Sequence, residues 1–184
     1  MKVKGQTKGK SCCSSRVNTF PPKSIMIEYL YLDLNTCDRC IGTDNVLDEV
    51  ILLLTPALEL AGYEVEYKKI EMETAAIAEQ YQFLSSPTIR VNGRDICQSV
   101  VENSCGCCSE ISGAKVDCRV FKFNGESYEV PPKEMLADAI LYSVFGMSDG
   151  GCSCDTAYEL PENLKEFFNG KKNVSSCCCD DDCC

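Results

Sequence analysis

The 184-residue sequence contains no histidine and no tryptophan. Without histidine the chain has no His-ligated zinc or iron site, no Ser–His or Cys–His nucleophilic pair, and no usual proton shuttle at neutral pH. Long apolar runs are also absent: no stretch approaches the roughly 20 residues of a membrane span, and residues 1–24 offer no signal-peptide core. We therefore expect a cytoplasmic protein without membrane insertion, in which cysteine carries the chemistry.

Basic residues are outnumbered by acidic ones, 18 to 28, which gives a formal net charge of −10. Such a protein is a poor partner for nucleic acid, because phosphate binding needs a basic surface. The start of the chain is different, since residues 1–24 carry six basic side chains and no acidic one. This segment is predicted to be a flexible basic arm.

Cysteine is abundant, with 16 in the chain, a frequency typical of small secreted disulfide scaffolds. Many of these cysteines are adjacent, at positions 12–13, 107–108, 177–179 and 183–184. Disulfide frameworks instead space their cysteines so that distant segments are tied together. Adjacent thiols therefore favour a shared ligand or a redox shuttle over a scaffold.

The first half of the chain predicts a β-α-β-α order. Residues 25–33 are dense in β-branched and aromatic residues and predict a buried strand, while apolar positions between 46 and 61 predict a helix that ends at Gly62. Residues 63–72 alternate like a second strand, and residues 74–83 return to helical spacing.

The second half begins with a hairpin signal at Asn92-Gly93, since both residues tolerate the positive φ angles of a tight turn. A cysteine-rich insertion at about 97–118 follows. Beyond it we predict a strand and turn near 118–130 and a helix that begins near Pro132.

Cys37 and Cys40 form a C-x-x-C motif between the first strand and the first helix. In a cytosolic β-α-β chain this motif indicates a redox dithiol, because the spacing lets the two sulfurs bond after little movement. A helix N-terminus and the Arg39 cation would both favour the Cys37 thiolate. The clear helical stripe begins later, so a helix that starts at Thr43 or Asp44 is an alternative. Half of a zinc knuckle, or a pair of inert thiols, is the other alternative for the motif.

The order strand, C-x-x-C, helix, strand, helix, and then Ser86-Pro87-Thr88 at the start of a hairpin resembles the thioredoxin and glutaredoxin superfamily over about residues 25–145. The chain is identified as a member of a prokaryotic thioredoxin-like group with a C-x-x-C after the first strand and a Cys-rich tail. The resemblance implies an α/β fold with a mixed central sheet and flanking helices. It also implies that Pro87 is cis and binds substrate, that Cys37 attacks, and that Cys40 resolves. One departure is Thr36, which stands where thioredoxins usually have tryptophan.

Cys105, Cys107 and Cys108 place three thiols within four residues, and Gly106 allows the sharp turn that would let them converge on one metal. With Cys118 added, a four-thiolate zinc or iron–sulfur site is one interpretation. A three-thiolate site for arsenite, mercuric ion or Cu(I) is another. An exposed thiol-rich loop without a fixed ligand is the third.

The composition changes after residue 147, so we divide the chain into the arm 1–24, a domain 25–147 and a segment 148–184. This last segment contains a linker, a short helix and a largely irregular Cys-rich tail. The tail ends in SSCCCDDDCC and resembles in style the terminal cysteine pairs of arsenic metallochaperones. Its candidate metal ligands are Cys177, Cys178, Cys179, Cys183 and Cys184.

Two functions follow from these patterns. The first is thiol–disulfide exchange through Cys37 and Cys40, with the other cysteines relaying electrons. The second is the binding of a soft metal or metalloid, with zinc, arsenite, mercuric ion, Cu(I) or an Fe–S cluster as candidates, by the CGCC loop and the tail. The expected partner is a protein that contains a disulfide or exchanges a thiophilic metal.

Overall fold

The computed structural model describes residues 23–97, 99–146 and 157–176. Three parts of the predicted organisation lie outside these residues: nearly all of the basic arm, the linker after residue 146, and the tail with its five candidate ligands between Cys177 and Cys184. No helix within the described ranges is long and apolar enough to cross a membrane.

The first part of the chain builds a four-stranded mixed sheet with the strand order β2-β1-β3-β4. Strands β1 and β2 are parallel, whereas β3 runs antiparallel to both β1 and β4. The elements are β1 (Lys23–Tyr31), α1 (Asp38–Leu60), β2 (Tyr63–Glu71), α2 (Ala75–Gln80), β3 (Thr88–Val91) and β4 (Arg94–Asp95).

The predicted hairpin is present between β3 and β4. Asn92 and Gly93 have φ angles of 52° and 78°, the left-handed conformation that a two-residue hairpin turn requires. The predicted β-α-β-α order before it is also confirmed, and Thr74 caps α2 by accepting a hydrogen bond from the Ile77 N–H.

The cysteine-rich insertion is not an irregular interruption, because it contributes a strand and a helix of its own. A second, antiparallel sheet has the order β5-β6-β7. Arg119 of this sheet connects it to the first part of the chain: its N–H donates a hydrogen bond of 2.7 Å to the Ser86 carbonyl, and its side chain pairs with Asp95. The elements are β5 (Val101–Ser104), α3 (Gly106–Ser112), β6 (Asp117–Phe123), β7 (Glu126–Tyr128), α4 (Lys133–Phe145) and α5 (Glu162–Ser176).

The described residues have two hydrophobic cores. In one of them, side chains of β1, α1, β3 and α4 pack together, with Ile27, Leu47 and Ile140 fully or almost fully buried. The other contains the cysteines and is closed by apolar side chains near and in α5, including Leu164 and Phe167. The predicted helix of the 148–184 segment is therefore part of the packed structure and reaches Ser176. The architecture is a mixed α/β arrangement with helices flanking the sheets, as the sequence predicts.

Helix α5 lies very close to α3. A Cβ atom added at Gly170 would overlap the carbonyl oxygen of Ser112, at the end of α3. The two helices can approach this closely because residue 170 is glycine and has no side chain.

We expect Gly170→Ala to lower the free energy of unfolding by about 1–3 kcal/mol, because the added methyl group forces α5 away from α3. Urea denaturation followed by circular dichroism measures this change. Gly106→Ala is the matched control, since a Cβ there meets nothing within 4 Å and alanine is the better helix residue. Equal stability of the two variants would contradict the close packing of the two helices.

A buried cysteine cluster as candidate functional site

Two C-x-x-C motifs begin helices in the same way. Cys37 is the N-cap of α1 and Cys40 lies in its first turn, while Cys105 is the N-cap of α3 and Cys108 lies in its first turn. Both N-cap residues have extended backbone, with ψ angles of 100° and 108°. The alternative in which α1 starts at Thr43 or Asp44 is therefore wrong, because Thr43 is buried inside the helix.

The two motifs converge on one group of thiols. The Cys108 sulfur lies 3.7 Å from the Cys37 sulfur and 3.4 Å from the Cys118 sulfur. The sulfurs of Cys37, Cys105 and Cys108 all lie within 4.8 Å of one another. Together with Cys40, which shares the C-x-x-C motif of Cys37 and is buried in the same core, these residues form what we call the thiol cluster. Its members are Cys37, Cys40, Cys105, Cys108 and Cys118.

The thiol cluster is buried: Cys105 is 4% exposed and the other four members are 0% exposed. The strand pairing explains how they meet, because β5 and β6 are antiparallel with Ser104 opposite Asp117. This register pairs Cys118 with Asn103, so Cys105, two residues further along, is a diagonal neighbour of Cys118 on the same face. A hydrogen bond of 2.9 Å from the Cys105 N–H to the Val116 carbonyl holds the turn.

Two described cysteines lie outside the thiol cluster. Cys107 is half-buried, and its sulfur is 3.9 Å from a carboxylate oxygen of Asp38. Cys97 lies beside Asp95, whose side chain accepts the Cys97 N–H, and burial raises the pKa of its thiol. Of the predicted metal ligands in the insertion, the structure thus brings Cys105, Cys108 and Cys118 together and leaves Cys107 at the edge.

Asp33 holds the turn that presents Cys37. Its side chain accepts backbone hydrogen bonds from Asn35, Thr36 and Cys37, at 3.0, 2.6 and 3.2 Å. Burial raises the pKa of this carboxyl, but the hydrogen bonds from Thr36, Cys37 and Asn35 outweigh burial, so the net pKa is lowered. The sequence analysis missed this role, although an aspartate just after a strand is a common start of such a turn.

Arg39 fastens the start of α1 to the second sheet. Its buried guanidinium donates hydrogen bonds to the carbonyl oxygens of Cys118 and Arg119, at 2.9 and 3.3 Å. It also pairs with a carboxylate oxygen of Glu129 at 2.7 Å. These contacts direct the cation toward β6 and β7. The predicted effect of Arg39 on the Cys37 thiolate stays a prediction.

The Ser86–Pro87 peptide bond is cis, as the resemblance implies. The Ser86 hydroxyl lies 3.4 Å from the Cys40 sulfur and accepts a hydrogen bond from the Leu32 N–H. Ser86 is 1% exposed, so it fills the space beside Cys40 between the end of β1 and β6. The sequence analysis named Pro87 and missed this contact of its neighbour.

Hydrogen bonds within the thiol cluster concentrate negative charge on one sulfur. Those from the Cys108, Cys118 and Cys37 thiols lower the pKa of Cys105. The same contacts with Cys105 are the largest cause that raises the pKa of Cys37, Cys108 and Cys118. A hydrogen bond from Cys37 lowers the pKa of Cys40 to about 7, against the opposing effect of burial. Cys105 therefore favours the thiolate form and its three neighbours the thiol form, because further thiolates in this core would be repelled by the first in the absence of a cation.

The spacing of the sulfurs fits one thiolate-bound ion. A zinc–sulfur bond of about 2.3 Å in a tetrahedral site separates neighbouring sulfurs by about 3.8 Å. The Cys37–Cys108 distance of 3.7 Å matches this edge. All cysteines in the described ranges are free thiols, so each sulfur of the cluster can bind a metal as a thiolate.

Fold and site together define a mixed α/β protein with a buried multi-thiol centre. The chain belongs to the family described as Domain of unknown function (DUF2703), whose family model matches residues 25–140. This range contains all five members of the thiol cluster and ends before α5. Neither the comparison with curated proteins nor the comparison with solved structures gives a match.

We expect Arg39→Met to lower the free energy of unfolding by about 2–4 kcal/mol, because it leaves buried carbonyl oxygens without a donor. Guanidinium denaturation measures the loss. Glu129→Gln serves as the control: the Glu129 side chain is 61% exposed, so removing its charge should cost less than about 1 kcal/mol. If Arg39→Met is as stable as this control, Arg39 does not fasten α1 to β6.

Proposed function

We propose that this protein binds a soft metal or metalloid ion through the thiolates of Cys37, Cys105 and Cys108, with Cys118 as the fourth ligand of an ion that takes four. The observation that carries the proposal is the mutual approach of the three sulfurs to within 4.8 Å in a buried core. Cys118 is a better fourth ligand than Cys40, because its sulfur lies 3.4 Å from the Cys108 sulfur, whereas the Cys40 sulfur lies against the Ser86 hydroxyl.

The donor set supports a soft ion over a hard one. Thiolates favour zinc, Cu(I), mercuric ion and arsenite, whereas calcium and magnesium take oxygen ligands. The group of three contains cysteines alone. Three sulfurs this close suit a single ion, because an iron–sulfur cluster holds its cysteines apart with its own iron and sulfide atoms.

The half-buried Cys107 supports a role in which the ion is received and passed on. It is adjacent in sequence to the buried Cys108, and the Asp38 carboxylate beside it is exposed. In this function the tail cysteines collect the ion, and a partner protein with its own thiols exchanges it. The eight residues after Ser176 span at most about 28 Å when fully extended.

Thiol–disulfide exchange at Cys37 and Cys40 is the second candidate. The C-x-x-C spacing, the lowered pKa of Cys40 and the resemblance to thioredoxin favour it. Cys37 is 0% exposed, however, and a thiol that attacks the disulfide of another protein has to be accessible. Burial of the proposed nucleophile therefore favours ion binding as the main function.

We expect Cys108→Ser to weaken the binding of zinc and of arsenite, because it removes the central ligand. Loss of an outer-shell partner lowers metal affinity roughly 10–100-fold, and loss of a ligand should lower it more. Native mass spectrometry and competition with a chromogenic chelator, on anaerobically purified full-length protein, measure the loss. Zinc and arsenite are loaded separately, since zinc takes four ligands and arsenite three.

Cys107→Ser is the matched control, because it removes the neighbouring thiol that points to Asp38 and keeps the group of three. It should bind both ions within about threefold of the unaltered protein. To remove the contribution of the tail, both variants are also made with the five cysteines of residues 177–184 changed to serine. Equal binding by the Cys107 and Cys108 variants would refute the proposed site.

We expect the protein to accelerate reduction of insulin by dithiothreitol no more than its Cys37→Ser variant does, because Cys37 is fully buried. The turbidity of the released insulin chain measures the rate. A rate that is at least tenfold higher in the unaltered protein and depends on Cys37 would instead support the redox candidate.

A further inference from the structure

Cys37 is shared by two sets of cysteines, the group of three sulfurs and the C-x-x-C pair. It belongs to the group of three sulfurs that lie close enough to hold one ion, and it also forms the C-x-x-C motif with Cys40 at the start of α1. Cys40 is not a member of that group, and its sulfur rests against the Ser86 hydroxyl at 3.4 Å. A sulfur in a disulfide is no longer a thiolate, so Cys37 can serve only one of these sets at a time.

We propose that a peroxide oxidises Cys37 and Cys40 to a disulfide and that this reaction lowers the affinity of the site for its ion. The inference rests on the proposed function. In it, the ion is a cargo that the protein releases when Cys37 and Cys40 are oxidised. The C-x-x-C pair then regulates the site and is not itself the exchange centre for protein disulfides.

The sulfur nearest to Cys37 is that of Cys108, at 3.7 Å, but the C-x-x-C spacing makes Cys40 the expected disulfide partner of Cys37. The two residues are the N-cap and the third residue of α1, and side chains three apart at a helix start lie about 5–6 Å from each other at Cβ. A disulfide brings the two Cβ atoms to about 3.5–4.5 Å, so the pair closes with a local movement of about 1–2 Å and without a change of fold. Cys40 also stays free to react while Cys37, Cys105 and Cys108 hold the ion.

The position of the pair favours a small oxidant. Cys37 is 0% exposed, while its chain neighbours Thr36 and Asp38 are exposed. A peroxide needs only a small opening to reach the sulfur, whereas the disulfide of another protein has to dock against it. The oxidant is therefore named by class as hydrogen peroxide or an organic hydroperoxide.

The reaction balances as follows. One sulfur of the pair attacks the peroxide, the O–O bond breaks, and a sulfenic acid and one water (or alcohol) form. The second sulfur displaces the hydroxyl group as a second water, and the S–S bond forms. The two sulfurs lose two electrons to the peroxide. Cys40 supplies one proton, and the other comes from Cys37 when it is a thiol or from water when Cys37 is bound to the ion. Zinc leaves as Zn²⁺, with its oxidation state unchanged.

Zinc release from the full-length chain tests the inference. The parent protein for this test has serine at the nine cysteines outside the described residues, that is, 16 minus the seven described. We expect hydrogen peroxide to speed zinc transfer to a chromogenic chelator at least about tenfold in this protein. Peptide mapping should find the Cys37–Cys40 disulfide there and in the unaltered chain. Cys40→Ser should load zinc normally and show less than about a twofold change on oxidation.

Cys97→Ser is the control and should release zinc like its parent, since Cys97 lies outside the thiol cluster. Equal peroxide-driven release from Cys40→Ser, or a mapped disulfide between Cys108 and Cys118, would overturn the inference. So would loss of zinc binding in both Cys40→Ser and Cys40→Ala, because Cys40 would then be a ligand. Absence of zinc and arsenite binding by the reduced parent would remove the proposed function itself.

Discussion

Thiols collect in one dry core of this protein because hydrogen bonds hold two turns face to face. Asp33 fixes the turn before α1, and Arg39 ties that helix start to the carbonyl oxygens of β6. On the other side, the pairing of β5 with β6 sets Cys105 beside Cys118. None of the groups that hold the turns is itself a thiol. The cluster is therefore a product of the surrounding polar framework, and its sulfurs remain available for chemistry.

Local patterns predicted the first sheet well. Alternation and β-branching marked β1 and β2, and Asn92-Gly93 marked the hairpin, because each of these signals depends only on neighbouring residues. The meeting of Cys37 with Cys105 and Cys108 could not be predicted in this way, since it depends on long-range contacts between α1 and the second sheet. One local signal was overlooked: Cys105 and Cys108 have the same C-x-x-C spacing as Cys37 and Cys40.

Local sequence patterns also did not predict which segment covers the cysteine-containing core. A short amphipathic helix was predicted after residue 147, but nothing in its sequence indicated that Leu164 and Phe167 would be fully buried against the cysteines. This helix lies beyond the residues that match the family model. The thiols thus belong to the family region, and part of the apolar wall that keeps water from them comes from a later segment of the chain.

The number of thiols in the core has a consequence of its own. The cluster holds five, and disulfides consume thiols in pairs, so complete oxidation of this core leaves one sulfur over whichever pairs form. An odd set has no fully closed state. The remaining sulfur can only stay reduced, oxidise further, or join a sulfur from outside the core, and Cys107 is the nearest such thiol along the chain. Disulfide pairing within a core of five thiols therefore always leaves one sulfur that can form a disulfide with a thiol outside the core.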